Sequence, residues 1–195
     1  MNLKDCIAII TGGASGLGEA CVRKLISEGA KVAIFDLAWE KGERLAAELK
    51  SNIIFACTDI TIDVSIKDGI KKAIRAFGAL NTVISCAGIA DAGKMLSQKD
   101  TLSLSTFNRV IQINLVGTFN VLRLAAEEMI KNEPNSEGER GVIINTASVA
   151  IFEGKIGQPA YSASKAGVAG MTIPLAREFG EYGIRVVTIA PGIFQ

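Results

Sequence analysis

Histidine is absent from this chain of 195 residues. Its absence removes the Ser-His-Asp triad, the His-based zinc sites and the commonest general base. Any proton transfer must then fall to Tyr, Lys, Asp, Glu or Cys. Proline is scarce, at four residues, while hydrophobic residues make up 49%, so a globular chain is expected rather than a disordered one. A bias of charge is also lacking. With 21 basic and 20 acidic residues and a formal net charge of +1, neither a nucleic-acid groove nor an anionic membrane partner is expected. No uninterrupted apolar run is long enough to span a bilayer. Met1-Asn2-Leu3-Lys4-Asp5 leads straight into a strand-like segment, without the basic and then apolar pattern of a secretory signal. The four cysteines, Cys6, Cys21, Cys57 and Cys86, include no Cys-x-x-Cys pair and sit in apolar or helical surroundings. Buried thiols in a reducing compartment are expected, with no metal site. The expected location is cytoplasmic, or the mitochondrial matrix for a eukaryotic source.

Short apolar runs alternate with longer amphipathic ones, the pattern of a parallel sheet with helices on both faces. Strands are expected at 7–11, 31–36, 53–57, 82–86, 141–146 and 185–189, and helices at 17–27, 40–49, 64–77, 105–131 and 161–178. Right-handed crossovers between six strands predict a Rossmann-like, doubly wound α/β sheet of order 3-2-1-4-5-6, built as three layers in one domain over 1–195. Asn132 to Arg140 reads as an exposed loop. In the long fourth helix, Phe107, Val110, Ile111, Leu115, Phe119, Leu122 and Met129 fall at core spacing. Asn114 lies among them. As a buried amide it either satisfies backbone groups at a helix irregularity or joins a polar relay. Pro174 is expected to bend or interrupt the last helix.

The first strand runs into Thr11-Gly12-Gly13-Ala14-Ser15-Gly16-Leu17-Gly18 and then a helix. Glycines here allow a tight turn and a close approach of main chain to a pyrophosphate, which would face the unpaired N–H groups of the helix start. Asp36, at the end of the second strand, can accept hydrogen bonds from the adenosine ribose. It would repel a 2′-phosphate, and Leu37 brings no compensating cation, so NAD is expected rather than NADP. Asp59 follows the third strand, where it could accept the adenine amino group. Cys86, Ala87 and Gly88 follow the fourth and are small enough for a dinucleotide to lie against them. Cys86 is expected to pack rather than react.

Tyr161 and Lys165 stand four residues apart in a helical segment opened by Pro159, and so share one helix face. A phenol is a weak base at neutral pH, and a neighbouring cation favours its ionisation. The pair could therefore exchange a proton with an alcohol or a carbonyl. Ser148, just past the fifth strand, arrives at the same sheet edge. The small residues Ala163, Ala166, Gly167, Ala169 and Gly170 suit a close helix contact, between subunits or within one.

Taken together, the glycine turn 11–18, Asp59, Cys86-Ala87-Gly88, Asn114, Ser148, Tyr161-x-x-x-Lys165 and Pro191-Gly192 resemble the short-chain dehydrogenase/reductase family. Asn145 to Ala150, Phe152-Glu153-Gly154, Ala160 to Lys165 and Thr188 to Gly192 are similar to its 3-hydroxyacyl-CoA dehydrogenase branch. The resemblance implies an NAD-dependent oxidoreductase acting on a secondary alcohol or ketone, either a 3-hydroxyacyl-CoA or a steroid-like alcohol. It further implies that Tyr161 is the acid/base, that Ser148 bonds the substrate oxygen, and that Lys165 assists Tyr161 and holds the nicotinamide ribose. Asn114 would support a proton relay to Lys165. Gly12, Ser15, Gly16, Leu17, Gly18, Asp36, Asp59, Ile60, Cys86, Ala87, Gly88, Pro191, Gly192 and Phe194 would line the cofactor. A homotetramer is implied, as is a further substrate-binding segment beyond Gln195. Two alternatives stay open, a 3-oxoacyl-acyl-carrier-protein reductase and a non-catalytic NAD-binding protein.

Overall fold

The computed structural model describes residues 1–96 and 101–193. The elements follow in chain order: β1 (Ile7–Thr11), α1 (Gly16–Ser27), β2 (Lys31–Asp36), α2 (Trp39–Leu49), β3 (Ile53–Cys57), α3 (Asp63–Phe77) and β4 (Thr82–Ser85). After them come α4 (Leu104–Ile111), a wide π-helical turn (Gln112–Gly117), α5 (Thr118–Met129), β5 (Gly141–Thr146), α6 (Pro159–Gly180) and β6 (Ile184–Ile189). All six strands are parallel, in the order β3-β2-β1-β4-β5-β6, so the expected doubly wound topology is found.

Two apolar layers explain why the inner strands are hydrophobic at nearly every position. Ile9, Ala33, Phe35, Val83 and Ile143 point to one face and pack under α3, α5 and α6. Their neighbours Ala8, Ile10, Val32, Ile34 and Ile84 point to the other face, under α1 and α2. A strand covered on both sides has no solvent face on which to place polar residues. Each fully buried Ile, Val or Leu contributes roughly 1.5–3 kcal/mol to folding. β6 lies at the edge, and its burial alternates instead, with Val187 and Ile189 exposed.

Three expectations are corrected. β4 ends at Ser85, which leaves Cys86 in the loop that enters the cleft. The helix expected over 105–131 is not uniform, because the wide turn at Gln112–Gly117 inserts an extra residue. That insertion rotates the apolar face. Val110, Leu122 and Met129 are buried as expected, but Phe119 is 44% exposed, and Val121, Leu124 and Ala125 are buried beside them. α6 runs through Pro174 without interruption. The loop 132–140 is largely exposed, as expected, and is tied down by Asn132 Nδ2 donating to Leu80 O at 2.7 Å.

Candidate active site

The carboxyl ends of β1, β2, β4 and β5 meet at one edge of the sheet, where open α/β sheets bind ligands. Two cavities lie along it. The larger, about 550 Å³, is lined by Gly12, Ser15, Gly16, Leu17, Gly18, Asp36, Asp59, Ile60, Cys86, Ala87 and Gly88 among others. Its volume falls within the usual range of about 300–1,000 Å³ for small-molecule sites. The smaller, about 190 Å³, brings together Ser148, Tyr161, Lys165, Pro191 and Gly192. Leu17, Cys86, Gly88 and Ile89 line both. Thus the residues expected along a dinucleotide and those expected at the chemistry fall in adjoining spaces. Phe194 lies outside the described residues.

The glycine turn fits an anionic ligand. Ser15 precedes α1 in an extended conformation, and its side chain does not cap the helix, so the first N–H groups of α1 remain available to phosphate oxygens. A Cβ on Gly18 would stand 2.2 Å from Gly12 O, so only glycine lets α1 sit this close to the turn. Gly12 has φ +64°, and a Cβ there would stand 2.8 Å from the Ala87 backbone. Gly12→Ala is therefore expected to cost about 1–3 kcal/mol, which lowers the thermal midpoint by about 2–4 °C per kcal/mol in a domain of this size. Circular-dichroism melts test this, and an unchanged midpoint counts against the clash.

At the far end of the larger cavity, Asp36 accepts from Ala14 N at 3.0 Å and from Ala38 N at 2.9 Å. Both bonds orient the carboxylate, and each oxygen keeps a lone pair for a ribose hydroxyl. Among the described residues, no Lys or Arg lines this cavity, whereas Asp36 and Asp59 both do. Asp59 Oδ1 accepts from both Thr61 N and Thr61 Oγ1, at 2.8 and 2.7 Å.

In the smaller cavity, Ser148 Oγ accepts from Ala150 N at 3.2 Å, which leaves its O–H free to donate. Tyr161 and Lys165 sit in the first turns of α6, which opens with Pro159 and needs no N–H there. Lys165 is 5% exposed. Its Nζ donates to Thr146 O at 2.7 Å and stands 5.9 Å from the centroid of the Tyr161 ring. Burial pushes the ammonium below its usual lysine pKa, with the nearby Cys86 sulfur acting in the opposite sense.

Asn114 lines neither cavity. It is fully buried, accepts from Ile89 N at 2.8 Å, and donates to Ile89 O at 2.8 Å and Ser164 Oγ at 3.0 Å. The amide satisfies the Ile89 backbone groups and, through Ser164, clamps the segment after β4 to α6. Three residues were not singled out from the sequence. Thr146 supplies the carbonyl for Lys165, Thr11 Oγ1 accepts from Ala87 N at 3.2 Å, and Ile113 reaches the larger cavity. A backbone carbonyl leaves no mark in side-chain pattern, so Thr146 could not have been found that way.

The cysteines also depart from expectation. Cys6 is buried, but Cys57 is exposed, and Cys21 and Cys86 are half-buried. Among the described residues, no group of three or more His, Cys, Asp or Glu could hold a metal ion. No helix of the described residues is long and apolar enough to cross a membrane.

The family model for short chain dehydrogenase matches residues 6–195. Human 3-hydroxyacyl-CoA dehydrogenase type-2 is 50% identical over 195 residues, covering 99% of this chain and 75% of the relative. A 3-alpha-(or 20-beta)-hydroxysteroid dehydrogenase of Mycobacterium tuberculosis is 34% identical, covering 97% of this chain and 69% of the relative. The crystal structure of 3-hydroxyacyl-CoA dehydrogenase type-2 from Mycobacterium avium superposes with a TM-score of 0.92 at 43% identity, covering 96% of this chain and 74% of that one. By sequence and by topology, the chain belongs to the short chain dehydrogenase family of oxidoreductases.

Proposed function

We propose that this protein is an NAD-dependent dehydrogenase that interconverts a 3-hydroxyacyl-CoA and its 3-oxoacyl-CoA. The observation that carries the reading is the cleft, where an anion-ready glycine turn and a carboxylate-lined cavity adjoin Ser148, Tyr161 and Lys165. The half-identical relatives that bear this activity in their names favour the acyl-CoA over other alcohols.

Bound NAD supplies a hydride acceptor, and the chain's own residues manage the oxygen. Tyr161 takes the hydroxyl proton as the carbonyl forms, and returns it in the reverse direction. Ser148 donates its free O–H to the same oxygen and meets the charge that develops there. Lys165, held by Thr146 O, presents the rest of its ammonium to the nicotinamide ribose. Asn114 acts from behind, by keeping Ile89 and Ser164 in place, and the family resemblance adds a role in a proton relay to Lys165. Gly12, Ser15, Gly16, Leu17 and Gly18 receive the pyrophosphate, Asp36 the ribose, Asp59 and Ile60 the adenine, and Cys86, Ala87, Gly88, Pro191 and Gly192 the remaining length. Assembly as a homotetramer and a cytoplasmic location belong to the same reading. The exposed, small-residue positions Ala163, Ala166 and Gly170 on α6 support a close helix contact between subunits.

Steady-state reduction of acetoacetyl-CoA with NADH and with NADPH tests the proposal. Preference for NADH is expected, and a marked preference for NADPH, or no turnover despite NADH binding, overturns it. Asp36 is the residue that decides the preference. Asp36→Ala is expected to lower kcat/KM with NADH by about ten-fold or more, as the charge-assisted bonds to the ribose, of roughly 1.5–3 kcal/mol each, are lost. NADPH should gain relative to NADH in the same variant.

A further inference from the structure

Ile60 lines the larger cavity from the short segment that joins β3 to α3. Most of that segment's bonds are local. Asp59 N donates to Ser65 Oγ at 2.9 Å, Thr61 N and Oγ1 both donate to Asp59 Oδ1, and Ile62 N donates to Asp59 O at 3.2 Å. These bonds tie the segment to itself and to α3, and leave the Ile60 carbonyl to a different element. Asn120 Nδ2, 60 positions further along the chain, donates to Ile60 O at 3.3 Å.

The contact has neighbours on either side. Gly117, Asn120 and Arg123 follow one another at three-residue spacing around the start of α5, which places adjacent members on one side of the helix. A Cβ on Gly117 would stand 2.8 Å from both Ile60 Cδ1 and Ile60 Cγ1, so the backbone there packs closely against the Ile60 side chain. Arg123 pairs with Asp63, the first residue of α3. Three successive positions thus hold the side chain, the backbone and the downstream end of the Ile60 segment.

Asn120 is a costly choice for a residue that only packs. It is 6% exposed, beside the fully buried Val121 and Leu122. An amide in such a layer destabilises the fold unless hydrogen bonds offset its desolvation. Among the described residues its Oδ1 has no partner, so the bond from Nδ2 to Ile60 O is what the amide contributes. An apolar side chain of similar size would pack at lower cost and leave that carbonyl unheld.

We propose that Asn120 is a positioning residue for the adenine end of the cofactor site, where it fixes Ile60 from behind the cavity. This rests on the reading of the larger cavity as the NAD site. Asn120 does not line the cavity and acts through Ile60. The catalytic end is held separately, by the bonds of Asn114 to Ile89 and Ser164, so the effect of Asn120 falls on cofactor affinity and not on the chemical step.

Calorimetric titration of the full chain with NADH, and with ADP-ribose, which keeps the adenosine and lacks the nicotinamide, tests the proposal in Asn120→Ala and Gly117→Ala. Asn120→Ala should bind both ligands about three- to ten-fold more weakly, and by the same factor, the size expected for one neutral hydrogen bond. In turnover of acetoacetyl-CoA the KM for NADH should rise by that factor while kcat stays within about two-fold of wild type, a split that a merely structural role would not produce. Gly117→Ala keeps the proposal testable should Asn120→Ala fail to fold. Gly117 already has a helical φ of −62°, so alanine suits the backbone, and the added methyl displaces Ile60 and weakens both ligands likewise. Wild-type affinity for both ligands in either folded variant, or a loss for NADH without a loss for ADP-ribose, overturns the proposal and leaves the NAD reading standing. A wild-type chain that binds neither ligand overturns both.

Discussion

Tyr161→Phe is expected to lower kcat for 3-hydroxyacyl-CoA oxidation by about 10²–10⁴-fold, the range for removal of a positioned acid/base. That corresponds to about 2.7–5.5 kcal/mol of barrier. The substitution removes one oxygen and leaves the ring. The Tyr161 backbone carbonyl, which accepts from Ser164 Oγ at 2.7 Å, is untouched, as is the ring face near Lys165 Nζ. The thermal midpoint and the NADH affinity should therefore stay close to wild type, and kcat and kcat/KM should fall together. Chain chemistry leaves few substitutes for the lost group, because the protein has no histidine. Stopped-flow turnover together with NADH titration through fluorescence of the lone Trp39 gives both numbers. An unchanged kcat would mean that the proton goes elsewhere, and the mechanism would be wrong.

Lys165→Met should cost turnover comparably, about 10²-fold or more, and should weaken NADH binding as well, which separates it from Tyr161→Phe. It carries a second signature in stability. The ammonium is 5% exposed, and burial holds its pKa below the usual lysine value. In the unfolded chain the group keeps its proton up to about pH 10.4. At pH values below the folded-state pKa both states are protonated, and the cost of burying the charge is fully present. As pH climbs from the folded value towards 10.4, the unfolded state binds more protons than the native one, so stability rises. The stability of wild type relative to Lys165→Met is therefore expected to increase from neutral pH towards pH 10, in cofactor-free protein. Parallel urea melts across that range test the sign, and a difference that is flat or falls with pH would sink it.

Pattern carried the fold a long way. β1, β2, β3 and β5 occupy the expected residues, because continuous apolar runs of five or six residues between glycine and polar turns have few other uses in a chain with this alternation. The glycine turn was legible for a similar reason. Gly12 and Gly18 answer a local geometric demand that no other residue meets. Legibility failed at the middle of the long helix. A strict 3.6-residue period predicted Phe119 inside, and one extra residue at Gln112–Gly117 turned it out. That insertion is held by tertiary partners, since Asn114 ties itself to Ile89 and Ser164 and its carbonyl accepts from Thr118 Oγ1. Periodicity sees only neighbours along the helix.

Tyr161 and Lys165 mark the division most clearly. The sequence alone determined that they share a helix face, because a four-residue separation does so in any α-helix. It likewise determined the strand order and the absence of a histidine base. Only the tertiary structure decided that Lys165 is buried against Thr146 O and that Asn114 is tied to the Ile89 backbone and to Ser164. Each of these joins segments 19 or more residues apart, through backbone carbonyls or side chains whose approach depends on how the helices and the sheet pack. Local periodicity holds no information about such contacts, and packing supplies it.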